Sequence, residues 1–328
     1  MVSIRDRYDR IIDYMRISVT DRCNLRCIYC MPHEGISPLR WKELLNDDEI
    51  VRVVKIAAHL GVGKIRITGG EPLMRQDLSR LIESLRNVDG IEDISLTTNG
   101  RLLKRYAHSL ADAGLNRVNV SLDSLRRDRY REITRGGEIG EVFEGIHEAE
   151  KAGLLPIKIN MIPIKGVNED EINEFAMLTL QTPYQVRFIE WMPIGPGNGW
   201  KREKYVSTDE IKIRLSAIAP LVPVKMRKSG PARYFRFEDA LGIIGFISPI
   251  SHHFCESCNR LRLTADGKLR PCLFSEAEID LKPLLRNGAA DHEIEKLLKR
   301  SVEIKPARHS INSATPYAYA KPMARIGG

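Results

Sequence analysis

The sequence predicts an α/β fold with a parallel sheet, followed by a smaller second domain. Between Arg16 and about Met192, short β-branched runs alternate with amphipathic stretches at a spacing of roughly 25 to 35 residues, the length of a βα unit. The β-like runs show little strict alternation of apolar and polar residues, as is typical of strands buried on both faces. Because a closed barrel of this type needs eight units and the chain offers six, an incomplete barrel and an open doubly wound sheet both fit the pattern.

The predicted elements follow in chain order. Strands are predicted at 15–19, 64–68, 91–97, 117–122, 156–161 and 185–191, and helices at 47–60, 77–87, 102–113, 140–152 and 169–180. The Pro- and Gly-rich stretch 193–199 predicts a loop. Beyond it we expect helices at 208–217, 281–285 and 291–300 and strands near 232–237 and 243–247. The predicted domains are therefore 1–200 and 201–328.

The composition narrows the class of protein. The 328 residues are 43% hydrophobic, which is ordinary for a folded chain with a substantial core. Lys and Arg number 51 and Asp and Glu 43, a net charge of +8 that favours an anionic partner. The charged N-terminal stretch and the lack of a long apolar run predict a cytosolic protein that does not bind a membrane. The cytosol keeps thiols reduced, so the six cysteines indicate metal ligation and not a disulfide framework.

The first three cysteines form one short motif. Cys23, Cys27 and Cys30 have C-x3-C-x2-C spacing (CNLRCIYC) directly after the first predicted strand. Three soft thiolates on one loop suit an iron–sulfur cluster or zinc, and zinc would need a fourth ligand, for which only His33 is near. A four-iron cluster held by three cysteines would leave one iron open to a small molecule.

The other three cysteines lie far along the chain. Cys255, Cys258 and Cys272 have C-x2-C-x13-C spacing. A structural zinc site completed by His252 or His253 is one interpretation, and a second iron–sulfur cluster is the other. The spacing alone does not choose between them.

The motif CNLRCIYC after a first strand resembles the cluster loop of the radical S-adenosylmethionine superfamily, and Gly69-Gly70-Glu71-Pro72 after the second strand resembles another superfamily element. The resemblance implies that the open iron binds S-adenosylmethionine and that a 5′-deoxyadenosyl radical abstracts hydrogen from the substrate. It also implies S-adenosylmethionine contacts for Tyr29, Gly70, Glu71, Ser121 and Met192.

The second triplet, followed by Asn259-Arg260-Leu261-Arg262, is similar within that superfamily to the GTP 3′,8-cyclase (MoaA) family of molybdenum-cofactor biosynthesis. The match extends through RITGGEP, LTTNG, SLDS, FIEWMP and CESCNRLR to Gly327-Gly328. It implies an incomplete (β/α)6 TIM-like barrel whose open side is covered by a smaller C-terminal α+β domain, and two [4Fe-4S] clusters. It also implies conversion of GTP to (8S)-3′,8-cyclo-7,8-dihydroguanosine 5′-triphosphate, beginning at the ribose 3′ hydrogen.

The same resemblance implies which residues hold the nucleotide: Arg16, Arg66, Thr97, Lys158, Arg260, Leu261 and Arg262. Arg260 and Arg262, with Arg325, Gly327 and Gly328 of a tail that reaches into the site, are expected to be catalytic along with the first three cysteines. The implied partners are a MoaC-type cyclic pyranopterin monophosphate synthase that receives the product and an electron donor such as flavodoxin or ferredoxin. A monomer and a homodimer both fit.

Two other functions are compatible with parts of the sequence. A peptide-modifying radical enzyme with an auxiliary cluster is the nearer one, although such enzymes generally carry longer, more cysteine-rich extensions. A zinc-containing nucleic-acid-binding protein is the other, motivated by the net charge of +8. Aromatic residues make up only 6% of the chain and no basic stripe is concentrated in one place, so we expect no nucleic-acid partner.

Overall fold

The computed structural model describes residues 3–195, 199–226, 230–309, 311 and 321–327. The middle of the predicted 193–199 loop and Gly328 therefore lie outside the described residues. Among the described residues, no helix has both the length and the apolar character needed to span a bilayer.

Six parallel strands form the centre of the structure: β1 (Tyr14–Ser18), β2 (Lys64–Thr68), β3 (Asp93–Thr98), β4 (Arg117–Ser121), β5 (Lys158–Met161) and β6 (Gln185–Ile189). Each pairs in parallel with the next along the chain. Strand residues of the hydrophobic core, such as Met15, Ile67 and Phe188, are at most 1% exposed, which is why the strands read as apolar runs. The six predicted βα units are confirmed.

Helices connect these strands: α1 (Asp47–His59), α2 (Leu78–Arg86), α3 (Leu103–Asp112), α4 (Arg127–Thr134), α5 (Ile139–Lys151) and α6 (Ile172–Gln181). Helix α1 begins where the sequence predicts, because Asn46 and Glu49 form a reciprocal capping box. Helix α4 was not predicted, since its sequence is mostly charged and has a low apolar content. The five helices predicted for this part of the chain agree with the structure to within three residues at each end.

The remaining strands extend the same sheet at both edges: β7 (Leu221–Val224), β8 (Arg233–Phe237), β9 (Ile243–Ile247), β10 (Arg260–Leu263), β11 (Lys268–Arg270) and β12 (Ile279–Asp280). Strand β9 pairs in parallel with β6, and β10 pairs in parallel with β1. The sheet order is β12-β11-β10-β1-β2-β3-β4-β5-β6-β9-β8-β7, so β1 and β6 do not close on each other. This confirms the incomplete barrel. The boundary near residue 200 stays a prediction.

In the described part of the chain beyond β6, the α-helices are α7 (Thr208–Ser216), α8 (Lys282–Arg286), α9 (Asp291–Glu303) and α10 (Met323–Ile326). Helix α9 packs on α1 and β11, and so ties the last third of the sequence to the first βα unit. Strands β7, β10, β11 and β12 were not predicted, because each is short and rich in Pro or charged residues. Two of these unpredicted strands, β10 and β11, lie between Cys258 and Cys272 of the second triplet.

Candidate active site

A single cavity of about 640 Å³ runs along one face of the sheet. Its walls include all six cysteines, the Gly69-Gly70 turn and the polar residues that follow strands β3 and β4. Residues that follow several different strands therefore meet in one cavity. A cavity of this size is within the range that holds small-molecule ligands.

The first cysteine loop follows β1 and is held from outside by α4. Arg26 and Ile28 donate their backbone N–H groups to the carbonyls of Thr134 and Ile133, at 3.1 and 3.0 Å. Burial raises the pKa of Cys23 to about 11 and that of Cys30 to about 12. These two thiols are therefore protonated at neutral pH, and a bound metal would have to displace their protons.

The Gly69-Gly70-Glu71 turn packs directly on that loop. The backbone N–H groups of Gly70 and Glu71 each donate at 2.7 Å, to the carbonyls of Thr20 and Arg22. A Cβ on Gly70 would lie 2.4 Å from the Arg22 carbonyl oxygen, so no larger residue fits. This close approach is the physical reason for the glycine in the motif.

Two buried carboxyl groups lie near the first triplet: Asp123 lines the cavity, and Glu71 lies near Cys23 without lining it. Glu71 accepts hydrogen bonds from the Thr98 hydroxyl at 2.8 Å and the Asn99 backbone N–H at 2.7 Å. Asp123 accepts one at 2.6 Å from the hydroxyl of Tyr29. Burial raises the pKa of Glu71 to about 7 and that of Asp123 to about 6. A nearby cation would favour their ionised forms.

The second triplet is assembled from separate segments. Cys255 and Cys258 bound a short turn before β10, and Cys272 follows β11. Burial raises the pKa of Cys258, but Arg260 and Lys305 more than offset this, so its pKa falls to about 6. This triplet, unlike the first, is surrounded by cations.

The spacing of the thiols bears on the choice between zinc and a cluster. A Zn–S bond is about 2.3 Å, so two sulfurs bound to one zinc lie at most about 4.6 Å apart. Among the described residues, the only group of three possible ligands whose atoms all lie within 4.8 Å is His253, Cys255 and His309, so neither cysteine triplet is that compact. His252, the other proposed zinc ligand, is bonded to Asp209 at 2.7 Å. One zinc held by all three thiols of the second triplet therefore does not fit, whereas His253, Cys255 and His309 are close enough to hold one ion.

Three arginines lie side by side across the floor of the cavity. In the strand register, Arg16 of β1 is opposite Arg66 of β2 on one side and Arg262 of β10 on the other. Burial, together with Arg262 and other neighbouring cations, holds the pKa of Arg16 well below its usual value. Burial lowers the pKa of Arg262 to about 9, and that of Lys158, which is also near Arg187, to about 7. Like charges so placed are unfavourable unless an anion lies among them.

Several buried polar atoms in the cavity are also left without a hydrogen-bond partner. They include Arg66 Nε, Thr97 Oγ1 and Arg187 Nε. Such atoms are costly unless a ligand or water satisfies them. Arg187 was not predicted as a site residue, although its place on β6 two residues after Gln185 puts it on the same side of the strand as that cavity residue.

The other predicted residues divide into two groups. Tyr29, Gly70, Ser121, Met192, Arg16, Arg66, Thr97, Lys158, Arg260 and Arg262 line the cavity. Leu261 and Glu71 do not. Leu261 is 2% exposed in the hydrophobic core, because neighbouring residues of a strand face opposite sides, and Glu71 is 1% exposed with its carboxylate bonded to Thr98 and Asn99. Any contact of Leu261 with substrate would have to come from its backbone.

The C-terminal tail enters the site and is not a frayed terminus. The guanidinium of Arg262 donates to the carbonyl of Gly327 at 2.6 Å, and Arg325 donates to the carbonyl of Ser37 at 2.7 Å. Gly327 has a φ of 73°, and a Cβ there would lie 3.1 Å from Ser18 and from Thr68. The tail thus contacts both the first strand and an arginine of β10. Gly328 lies outside the described residues.

Comparison with known families agrees with this geometry. The radical SAM superfamily model matches residues 17–179, and the Molybdenum Cofactor Synthesis C model matches residues 184–311. In fold, the chain is similar to Streptococcus suis SuiB bound to S-adenosylmethionine, with a TM-score of 0.63 at 14% identity over 88% of this chain and 69% of that one. The fold and the first cysteine motif define a radical S-adenosylmethionine protein.

Full-length relatives narrow the class. The chain is 53% identical to the GTP 3′,8-cyclase of Thermodesulfovibrio yellowstonii, over 99% of this chain and 100% of that protein. It is 51% identical to the GTP 3′,8-cyclase of Pelotomaculum thermopropionicum and 49% to that of Alkaliphilus metalliredigens, each over 99% of this chain and 100% of the relative. The chain belongs to the GTP 3′,8-cyclase family.

Proposed function

We propose that this protein is a radical S-adenosylmethionine enzyme that converts GTP to (8S)-3′,8-cyclo-7,8-dihydroguanosine 5′-triphosphate, the first step of molybdenum-cofactor biosynthesis. The full-length family match supports the reaction. The observation that carries the assignment of ligands is the charge distribution in the cavity, which is acidic at one end and strongly basic along its floor.

The acidic end suits S-adenosylmethionine, whose sulfonium and ammonium groups are cationic. Cys23, Cys27 and Cys30 would hold a [4Fe-4S] cluster there, and three thiolates leave one iron for the amino acid part of the ligand. When bound, the cluster and S-adenosylmethionine supply a 5′-deoxyadenosyl radical. Glu71 would hold the ligand's amine, and Tyr29, Ser121 and Met192 would line the adenosine pocket.

The basic floor suits the triphosphate of GTP. Arg16, Arg66 and Arg262 form a continuous row to which phosphate oxygens can bond, and guanidinium groups bind such oxygens in pairs. Lys158 and Arg187 add charge from β5 and β6. These groups would fix the ribose relative to the first triplet and exclude water from its reacting carbon.

A second [4Fe-4S] cluster held by Cys255, Cys258 and Cys272 is part of the proposal. The lack of a compact three-thiol group among the described residues and the cations near Cys258 support it, and the purine would approach this cluster while the triphosphate lies on the arginine row. Arg260, Arg325 and the glycine tail would close the site around the substrate. The product would pass to a MoaC-type synthase, and a flavodoxin or ferredoxin would supply electrons.

The test is anaerobic turnover. The reconstituted protein is given S-adenosylmethionine and a strong reductant, and 5′-deoxyadenosine is quantified with and without GTP. We expect GTP to stimulate its formation and a cyclised purine nucleotide to appear. Formation that is slow and indifferent to GTP would contradict the substrate, and a zinc-containing protein that forms none would contradict the whole assignment.

A further inference from the structure

Two buried cations from distant parts of the chain hold the backbone around the second cysteine triplet. Arg10 lies in the N-terminal segment before β1, and Lys305 follows helix α9. They are 7% and 3% exposed. Burying a charge is costly unless it is well bonded, so the partners of these two groups indicate what they do.

Arg10 joins three parts of the chain. Its Nη1 donates to the carbonyl of Cys255 at 2.7 Å and to that of Ala307 at 3.0 Å, and its Nη2 donates to the carbonyl of Pro306 at 2.8 Å. Its Nε donates to Asp6 at 2.5 Å, an ion pair in which the aspartate side chain is fully buried. The rigid planar guanidinium thus fixes Cys255 relative to segment 306–307.

Lys305 bonds the backbone beside the other two cysteines. Its ammonium donates to the carbonyl of Arg260 at 2.8 Å and to that of Pro271 at 2.6 Å. Arg260 lies two residues after Cys258, and Pro271 directly precedes Cys272. The two cations therefore hold one carbonyl close to each of the three cysteines. Lys305 begins segment 305–307, and Arg10 bonds the carbonyls of the two residues that follow it.

We propose that Arg10 and Lys305 form a carbonyl clamp that sets the spacing of Cys255, Cys258 and Cys272 and adds positive charge beside the cluster they hold. This rests on the proposed function only in taking that cluster to be iron–sulfur. The first triplet needs no such device, because its cysteines lie within eight consecutive residues. The cations are positioning residues, since their bonds go to the backbone and not to substrate.

The test compares Arg10→Met and Lys305→Met with matched controls. Arg5→Met removes an arginine of the same N-terminal segment that forms an exposed pair with Asp9, and Lys299→Met removes an exposed lysine of α9 that pairs with Glu295. Each reconstituted chain is challenged anaerobically with an iron chelator and a thiol-alkylating reagent. Alkylation of all six cysteines is then followed separately by mass spectrometry.

In the clamp variants, we expect Cys255, Cys258 and Cys272 to be alkylated at least about fivefold faster than in the wild-type chain. A fivefold change in rate corresponds to a loss of roughly one kcal/mol of local stability. The first triplet and both control variants should match the wild type. Equal acceleration of both triplets, or no acceleration, overturns the clamp. If the wild-type second triplet releases zinc and not iron, the proposed cluster fails, yet the comparison among cysteines still decides the clamp.

The charge of the clamp gives a second readout. In Lys305→Met chains that keep both clusters, we expect the reduction potential of the second cluster to fall, because a nearby positive charge stabilises the reduced form. Lys305→Arg keeps the charge and should restore the potential. A potential unchanged in Lys305→Met would overturn the electrostatic part of the proposal.

Discussion

The two cysteine triplets offer the same three thiols in opposite electrostatic surroundings. At the first, burial raises the pKa of Cys23 to about 11, and the nearby ionisable groups include Glu71 and Asp123. At the second, Arg260 and Lys305 outweigh burial and bring the pKa of Cys258 down to about 6. In the proposed function the surroundings of each triplet select its ligand, because the acidic end would attract a cationic cofactor and the basic end an anionic substrate.

The largest expected effect comes from removing thiols. Replacing Cys23, Cys27 or Cys30 by Ala should abolish formation of 5′-deoxyadenosine, because no other described residue offers the missing thiolate at that end. Replacing Cys255, Cys258 or Cys272 should leave the first cluster intact and abolish the response to GTP. Iron content and 5′-deoxyadenosine yield measure both, and loss of iron from both sites in every variant would contradict this separation.

Changes to the C-terminal tail test whether the two ends of the cavity act together. Deleting Gly327 and Gly328 should abolish cyclisation and leave both clusters in place, since Arg262 loses its carbonyl partner. Gly327→Ala should weaken activity roughly tenfold, because an added Cβ suffers about 1–2 kcal/mol of backbone strain and crowds Ser18.

Gly288→Ala is the matched control for that substitution. Gly288 has a φ of 72°, against 73° at Gly327, and a Cβ there meets nothing within 4 Å. It carries the same backbone strain away from the site and should leave turnover unchanged. If both alanine variants lose activity equally, backbone strain and not tail docking is responsible.

The thiol pKa contrast can be measured directly in the metal-free chain. At pH 7 the thiolate fraction of Cys258 exceeds that of Cys23 by about four orders of magnitude, and the lower nucleophilicity of a low-pKa thiolate removes about two of them. We expect Cys258 to be alkylated at least about tenfold faster than Cys23 or Cys30, as read by mass spectrometry. Equal alkylation rates at Cys258, Cys23 and Cys30 would contradict the difference in thiol pKa between the two triplets.

The smallest expected effect is on proton exchange during binding: S-adenosylmethionine and GTP should change the number of bound protons in opposite directions. Glu71, with a pKa of about 7, is half protonated at pH 7, and a cationic ligand lowers that pKa, so S-adenosylmethionine should release protons on binding. Lys158, also with a pKa of about 7, is half neutral, and an anion raises its pKa, so GTP should take up about half a proton.

GTP affinity should therefore fall as the pH rises above 7. Calorimetry in buffers of different ionisation enthalpy measures both couplings. If both ligands released protons on binding, or both took them up, the assignment of the two ends would be contradicted. A Lys158→Met chain should lose only the proton uptake that accompanies GTP binding.

The sequence by itself determined the six βα units and the chemistry of the site, because both are recorded in local patterns. Apolar runs at βα spacing predicted β1 to β6, and the eight residues from Cys23 to Cys30 predicted the cluster loop. It missed α4, whose charged sequence becomes a helix that supports the cysteine loop, because the carbonyls of Ile133 and Thr134 accept hydrogen bonds from backbone N–H groups of the loop.

Only the tertiary structure decided how distant segments meet. The pairing of β10 with β1 places Arg262 beside Arg16 across 246 residues of chain, and the carbonyl clamp joins Arg10 to Cys255 across 245. Strand pairing and buried backbone hydrogen bonds depend on which surfaces pack together, and no local periodicity encodes that choice. Hence the thiols and the arginines could be named from sequence motifs and family resemblance, whereas the strand pairing that brings Arg16, Arg66 and Arg262 together in one row could not.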